Sequence, residues 1–193
     1  MISSFRKSAV FAAALAASAL ALPAAAQQQT APPNPTTPAL GTATLNNAEG
    51  QAIGTVAFVE TPNGVLIQAR INPGSGLASG MHGFHIHENG TCEPPNFQSA
   101  GGHFNPDNHE HGFLSPRGVH AGDLPNIWVA SDGAAQADFM TDAVTFRGGS
   151  NSLVKPGGTS ILIHGSPDDY TTNPAGSSGD RVACGVITQT ASR

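Results

Sequence analysis

The chain has 193 residues, with 8 basic against 13 acidic side chains and a formal charge of −5. That length allows one domain with a real apolar core, and the acidic balance argues against nucleic acid or an anionic membrane as partner. The two cysteines, Cys92 and Cys184, stand far apart with no C-x-x-C pair. They fit one disulfide in an exported protein better than a pair of thiolate metal ligands. A bridge closing so long a loop stabilises by about 4–5 kcal/mol in the chain-entropy model.

The first 26 residues read as a secretory signal peptide. Arg6 and Lys7 precede an apolar Ala/Leu-rich run, Ser8–Leu22, and then Pro23 and three alanines, with the cut expected after Ala26. A membrane anchor is the weaker reading, because the run falls short of the roughly 20 residues a spanning helix needs. Without Arg6 and Lys7, six basic and thirteen acidic residues remain, a formal charge of −7. Residues 27–38 (QQQTAPPNPTTP) cannot bury a core and read as a linker. The folded domain is expected over residues 39–193.

From residue 39 onward the pattern is one of short β-like runs broken by Gly, Pro, Asn and Asp. Strands are expected at Gly41–Asn46, Ile53–Glu60, Val65–Ile71, Gly83–Glu88, Ile127–Ser131, Ala134–Met140, Ser160–His164 and Arg181–Thr188, with turn signals such as Asn63-Gly64 and Asp132-Gly133. No helical period appears after residue 26. The expected class is all-β, an eight-stranded antiparallel Greek-key sandwich or barrel. Two long Gly/Pro-rich stretches, 89–127 and 165–180, interrupt the strand spacing and are expected to be functional loops.

Six of the chain's eight histidines and one aspartate lie in or beside those loops: His85, His87, His103, His111, His120, Asp123 and His164. They are placed singly among glycines and aromatics, not gathered in a loose His-rich tract. His85 and His87, two apart on a strand, share one face and can reach one ion. His103, His111, His120 and Asp123 form a His/His/His/Asp set suited to zinc. His85, His87 and His164 add imidazoles suited to copper. If His103 offers one ring nitrogen to each metal, the two ions share an imidazolate.

These motifs, Gly83-Phe84-His85-Ile86-His87-Glu88, Gly102-His103-Phe104-Asn105-Pro106, His120-Ala121-Gly122-Asp123-Leu124-Pro125 and Asp180-Arg181-Val182-Ala183-Cys184-Gly185, resemble the secreted bacterial copper,zinc superoxide dismutases from about Ala39 to the C-terminus. The resemblance implies copper held by His85, His87, His103 and His164, and zinc held by His103, His111, His120 and Asp123. It implies that Asp168 links ligands of the two metals through their second ring nitrogens, that Arg181 orients the superoxide anion, and that Cys92 and Cys184 form an intrasubunit disulfide. The implied reaction is a two-step copper cycle turning two superoxide anions and two protons into dioxygen and hydrogen peroxide. In it His103 releases reduced copper, takes up a proton and delivers it, while zinc keeps the ring fixed. The resemblance also implies a periplasmic protein, and it allows either a monomer or a homodimer. An exported, non-catalytic copper- or zinc-binding protein on the same fold is the runner-up. Such a protein should have lost a copper ligand or the arginine, and a zinc-only sandwich would not need His85, His87, His164 and Arg181 together.

Among the remaining residues, His82 is out of phase with the copper pair and reads as a structural, hydrogen-bonded histidine. His109, two before His111, competes with it for zinc, and the resemblance favours His111, whose spacing to His103 and His120 is that of the family. Trp128 reads as core or subunit contact, and Glu88 and Glu93 as solvated acids. One departure from the family concerns charge. Residues 165–180 carry Asp168, Asp169 and Asp180 and no lysine or arginine. That leaves Arg181, the metals and, as candidates, Lys155, Arg117 and Arg147 to draw in an anion.

Overall fold

The computed structural model describes residues 40–190; the expected signal peptide and linker lie outside the described residues. Nine strands appear: β1 (Gly41–Asn47), β2 (Ala52–Thr61), β3 (Gly64–Ile71), β4 (Gly80–His87), β5 (Asp123–Val129), β6 (Ala135–Thr141), β7 (Ser160–His164), β8 (Arg181–Val186) and β9 (Thr188–Gln189). The only helical turn among the described residues is a 3-10 turn, Gln98–Ala100. Eight strands run antiparallel in the order β5-β4-β7-β8-β1-β2-β3-β6, and the short β9 pairs with the start of β1. The end strands β5 and β6 are consecutive in the chain, joined by a turn at Asp132-Gly133 in which Ala130 N donates to Ala134 O at 2.8 Å. The path therefore curls into a nearly closed barrel. The connections from β3 to β4 and from β6 to β7 cross between distant strands, in Greek-key fashion.

The expected strands are found with shifted ends. Strand β5 begins at Asp123, four residues earlier than the alternating pattern suggests. It takes in Pro125, a residue that disfavours strand interiors. Here β5 lies at the end of the hydrogen-bonded path, where a missing N–H costs no ladder bond. The expected last strand is split at Ile187, whose side chain is buried while its N–H turns to Thr159 O at 3.0 Å.

Beside the two expected long loops there is a third. Residues 142–159, between β6 and β7, form a loop that holds no metal-ligating residue. Its apolar residues follow no period, because they turn in to close one end of the barrel. Val144, Phe146 and Leu153 are buried in the main core, and Phe146 occupies the space where a side chain on Gly41 would stand. The Glu60 carboxylate fastens this loop, accepting from Thr145 Oγ1 and Phe146 N, each at 2.8 Å.

Alternation along each strand separates barrel interior from exterior. Val65, Ile67, Ala69 and Ile71 of β3 point inward, as do Phe84 and Ile86 of β4 and Ile161 and Ile163 of β7. Each large side chain of this kind contributes about 1.5–3 kcal/mol by leaving water. On β4 and β7 the other face is buried as well, beneath the two long loops. One end of that outer face is apolar, with Leu162 and Cys184 packed on Phe97, Ala100 and Cys92. Cys92 and Cys184 are joined by a disulfide, Cα–Cα 5.7 Å, which pins the first long loop to β8. The other end of the same face is polar and carries the histidines.

Candidate metal centre

Cross-strand register places the ligands. Side chains directly opposite in an antiparallel pair lie on one face, about 4.5–5.5 Å apart at Cβ. Asp123 of β5 stands opposite His85 of β4. His103 forms an isolated bridge with His87, as Phe104 N donates to Ile86 O and Glu88 N to Gly102 O. Gly122 must lack a side chain here, since a Cβ would run into Ile86 O. His164 stands opposite Arg181, and the extra residue Val182 on β8 creates the bulge that aligns them. Loop residues His111 and His120 complete the set, and all seven side chains are buried.

Two overlapping groups result. One ring nitrogen from each of His85, His87, His103 and His164 lies within 4.8 Å of the others, and the same holds for ligand atoms of His103, His111, His120 and Asp123. His103 belongs to both. The fit to metals can be tested at the level of single atoms. His87 Nδ1 faces Gly101 O at 3.0 Å and therefore carries hydrogen, which frees Nε2 toward His164 Nε2, 3.4 Å away. His85 Nε2 donates to Asp168 Oδ2 at 2.8 Å. That leaves His85 Nδ1 and His103 Nε2 buried with no hydrogen-bond partner. Buried polar atoms are seldom orphaned, and two orphaned imidazole nitrogens in one group of four are what a nitrogen-bound metal such as copper requires.

The second group is organised by a carboxylate. Asp123 Oδ2 accepts from Gly112 N at 2.9 Å and His120 N at 3.2 Å, so Oδ1 is turned to the imidazoles. His103 Nδ1 lies 2.7 Å and His111 Nδ1 3.1 Å from that oxygen, and His120 Nδ1 is 3.4 Å away. Burial pushes the Asp123 carboxyl up, but the hydrogen bonds with His103, His111 and His120 outweigh it and hold it well below the usual carboxylate range. A compact three-imidazole, one-carboxylate set suits tetrahedral zinc.

Electrostatics separates the two groups further. Burial, with neighbouring imidazoles adding, lowers His87 well below its ordinary value. Burial likewise lowers His103 to about 4 and His164 to about 3. For His111 burial also lowers, but hydrogen bonds to Asp123 and Asp168 outweigh it and raise the ring to about 9.

Asp168 lies between the groups, its Oδ2 on His85 and its Oδ1 on His111 Nε2 at 3.0 Å. Arg181 is half-buried, donating Nη1 to Phe97 O at 2.8 Å and Nη2 to Gly101 O at 2.6 Å, so Gly101 O serves both the arginine and His87. His82 is buried apart from both groups, its ring between His164 O and Ala78 O. His109 is exposed, with Nδ1 toward Val119 O at 3.1 Å, and joins neither group. Glu88 is exposed but accepts from Gly102 N at 2.9 Å, holding the His103 segment. Arg117 is paired with Glu110, and Arg147 with Glu60 at 2.9 Å, whereas Lys155 makes no ion pair among the described residues. Trp128 is exposed, opposite Met81 on the outer face of β4 and β5.

Asn126, Tyr170 and Asn173 carry no signal in the sequence, yet each holds the centre. Asn173 Oδ1 accepts from His111 N at 2.8 Å, and Tyr170 N donates to Asp168 Oδ1 at 2.6 Å. A lone Asn or Tyr has no periodicity of its own, and its role depends on contacts far away in the chain.

Comparison with known proteins agrees with this geometry. Residues 52–187 match the copper/zinc superoxide dismutase (SODC) family model. The chain is 48% identical over 149 residues to superoxide dismutase (Cu-Zn) 2 of Aquifex aeolicus, covering 75% of this chain and 84% of that protein. It is 42% identical to the superoxide dismutase (Cu-Zn) of Caulobacter vibrioides, covering 76% and 84%. Among solved structures, a double mutant of a SOD-like protein from Bacillus subtilis superposes with a TM-score of 0.71 at 42% identity, covering 75% of this chain and 94% of that one. By sequence, fold and metal centre, the chain belongs to the copper/zinc superoxide dismutase family.

Proposed function

We propose that the two groups divide the metals as their chemistry suggests, with copper on His85, His87, His103 and His164 and zinc on His103, His111, His120 and Asp123. The reaction is that of the family, conversion of two superoxide anions and two protons into dioxygen and hydrogen peroxide. Bound copper supplies the one-electron chemistry by alternating between Cu(II) and Cu(I). The observation that carries this division is the pair of partnerless buried nitrogens, His85 Nδ1 and His103 Nε2, grouped with His87 and His164.

The protein's own groups account for the rest. Arg181 keeps a fixed guanidinium beside His164 that attracts and orients the anion. His103 would hold zinc through Nδ1, which now faces Asp123, and its partnerless Nε2 would be the ring atom to take up and release a proton. Asp168 and Gly101 O fix the orientations of His85, His111 and His87 through the nitrogens that face away from metal.

The working domain in this reading is residues 39–193, exported by the 1–26 signal to the periplasm, where the disulfide persists. The exposed Trp128 and Met81 are the residues to examine for a homodimer contact. Superoxide dismutation assayed on the purified protein, with copper and zinc measured on the same sample, tests the reading. Activity with about one of each metal per chain is expected. Both metals bound without activity would instead support the non-catalytic metal-binding module.

A further inference from the structure

Asn126 sits at a bulge. Strand β5 pairs Leu124 with Phe84 and Ile127 with His82, so Pro125 and Asn126 together oppose the single residue Gly83. A bulge of this kind re-aims side chains, and here the Asn126 amide leaves the strand and meets the second long loop. It pairs with the main chain of Asp168 at both ends. Asp168 N donates to Asn126 Oδ1 at 2.8 Å, and Asn126 Nδ2 donates to Asp168 O at 2.9 Å. The amide thus imitates one rung of a β-ladder between β5 and a loop that has no strand. A second tie runs from Asn126 N, which donates to the Tyr170 hydroxyl at 2.8 Å. The residue held in this way is the one whose carboxylate touches both His85 and His111. Gly176 leaves that carboxylate room, since a Cβ there would collide with Asp168 Oδ1.

We infer that Asn126 is a positioning residue for the metal centre. By clamping the Asp168 backbone to the strand that carries Asp123, it sets the carboxylate bridge between the two groups, and it couples zinc retention to the orientation of His85. This rests on the reading of Asp168 as the link between copper and zinc ligands. Removing such an outer partner typically costs about 10- to 100-fold in metal affinity.

The test is a double-mutant comparison on the metal-loaded protein, with Asn126→Ala, Asp168→Ala and the pair. Zinc release to a chelator and the copper visible and electron-spin spectra are the readouts. Asn126→Ala should speed zinc release by about 10-fold or more and shift the copper spectrum in the direction of Asp168→Ala. The pair should behave like Asp168→Ala alone, because Asn126 acts through Asp168. Wild-type zinc release and copper spectrum in Asn126→Ala, or losses that simply add in the pair, would overturn the inference. If Asp168→Ala itself left both metals undisturbed, the reading of the bridge would fail instead. Should Asn126→Ala not fold, the near-isosteric Asn126→Asp, which keeps the acceptor for Asp168 N and loses the donor to Asp168 O, is judged by the same criteria.

Discussion

In the proposed division the copper-side and zinc-side groups share His103 and are linked through Asp168, yet they are built differently. Of the four copper-side histidines, three stand on strands and the fourth in an isolated bridge beside β4, and two of their ring nitrogens meet no partner at all. On the zinc side, His111 and His120 come from the long loop, and the group is gathered around a buried carboxylate. The copper side is an all-nitrogen cage framed by the barrel. The zinc side is an ion-paired knot that pulls a loop into place. A rigid frame suits a metal that must change oxidation state without losing its place, and a charged knot suits one that organises the chain.

That contrast can be broken most severely on the copper side. His164→Ala removes one cage nitrogen and should cut activity by more than about 100-fold, beyond the loss typical of an outer-partner mutation. Because β7 and the barrel core do not depend on the zinc knot, zinc content should stay near that of the wild type. Loss of both metals in His164→Ala would show the two halves to be one cooperative unit. The reciprocal change, Asp123→Ala, should release zinc and loosen the 103–123 loop, read as faster proteolysis there.

Arg181 comes next. It belongs to neither group, but its carbonyl partners tie it to the loop that carries the disulfide. Arg117 and Arg147 are engaged with carboxylates, so Arg181 and Lys155 remain as the candidate cations to guide an anion into an acidic protein. Arg181→Ala should lower kcat/KM by about 10-fold or more and flatten its dependence on salt, with both metals retained. Arg181→Lys should recover only part, since one ammonium cannot span Phe97 O and Gly101 O as the fork does. A smaller effect is expected from Lys155→Ala, visible only in the salt dependence.

Removing the disulfide with Cys92→Ser should cost about 2–5 kcal/mol in unfolding free energy. The damage should be greater to the copper side than to the zinc side, because the bridge anchors the segment that presents Gly101 O to Arg181 and His87. Zinc retained with a changed copper spectrum is the expected outcome.

The ligands and their supports are unequally legible in the sequence. The seven residues that the family resemblance implies as ligands are the seven that the fold gathers into the two groups, because each lies in or beside a motif readable in the sequence. Alternation is enough for the barrel, since Val65, Ile67, Ala69 and Ile71 read as one buried face from their two-residue spacing alone. What stays hidden depends on contacts distant in the chain. Pro125 conceals the start of β5, the 142–159 loop fills the barrel end with no period, and the hydrogen bonds of Asn126, Asn173 and Tyr170 leave no local trace.

The contrast also predicts opposite pH signatures in metal-free protein. His103 and His164 are depressed to about 4 and about 3 from an ordinary 6.5, so between those values the unfolded chain binds more protons than the folded one. Their contribution is present above pH 6.5 and is lost as pH falls through 4 toward 3. His111 is raised to about 9, so its contribution is full below pH 6.5 and is lost as pH rises through 9. Thermal unfolding of the apo-protein should therefore peak near about pH 6–7 and fall on both flanks. His164→Gln should soften the acid flank alone, and His111→Gln the alkaline flank alone. In the proposed division zinc would displace the proton shared by His111 and Asp123, so adding it without copper should remove most of the alkaline fall and leave part of the acid one. A zinc-loaded protein that still lost stability between about pH 7 and 9 would show that His111 is not the residue whose proton the metal displaces.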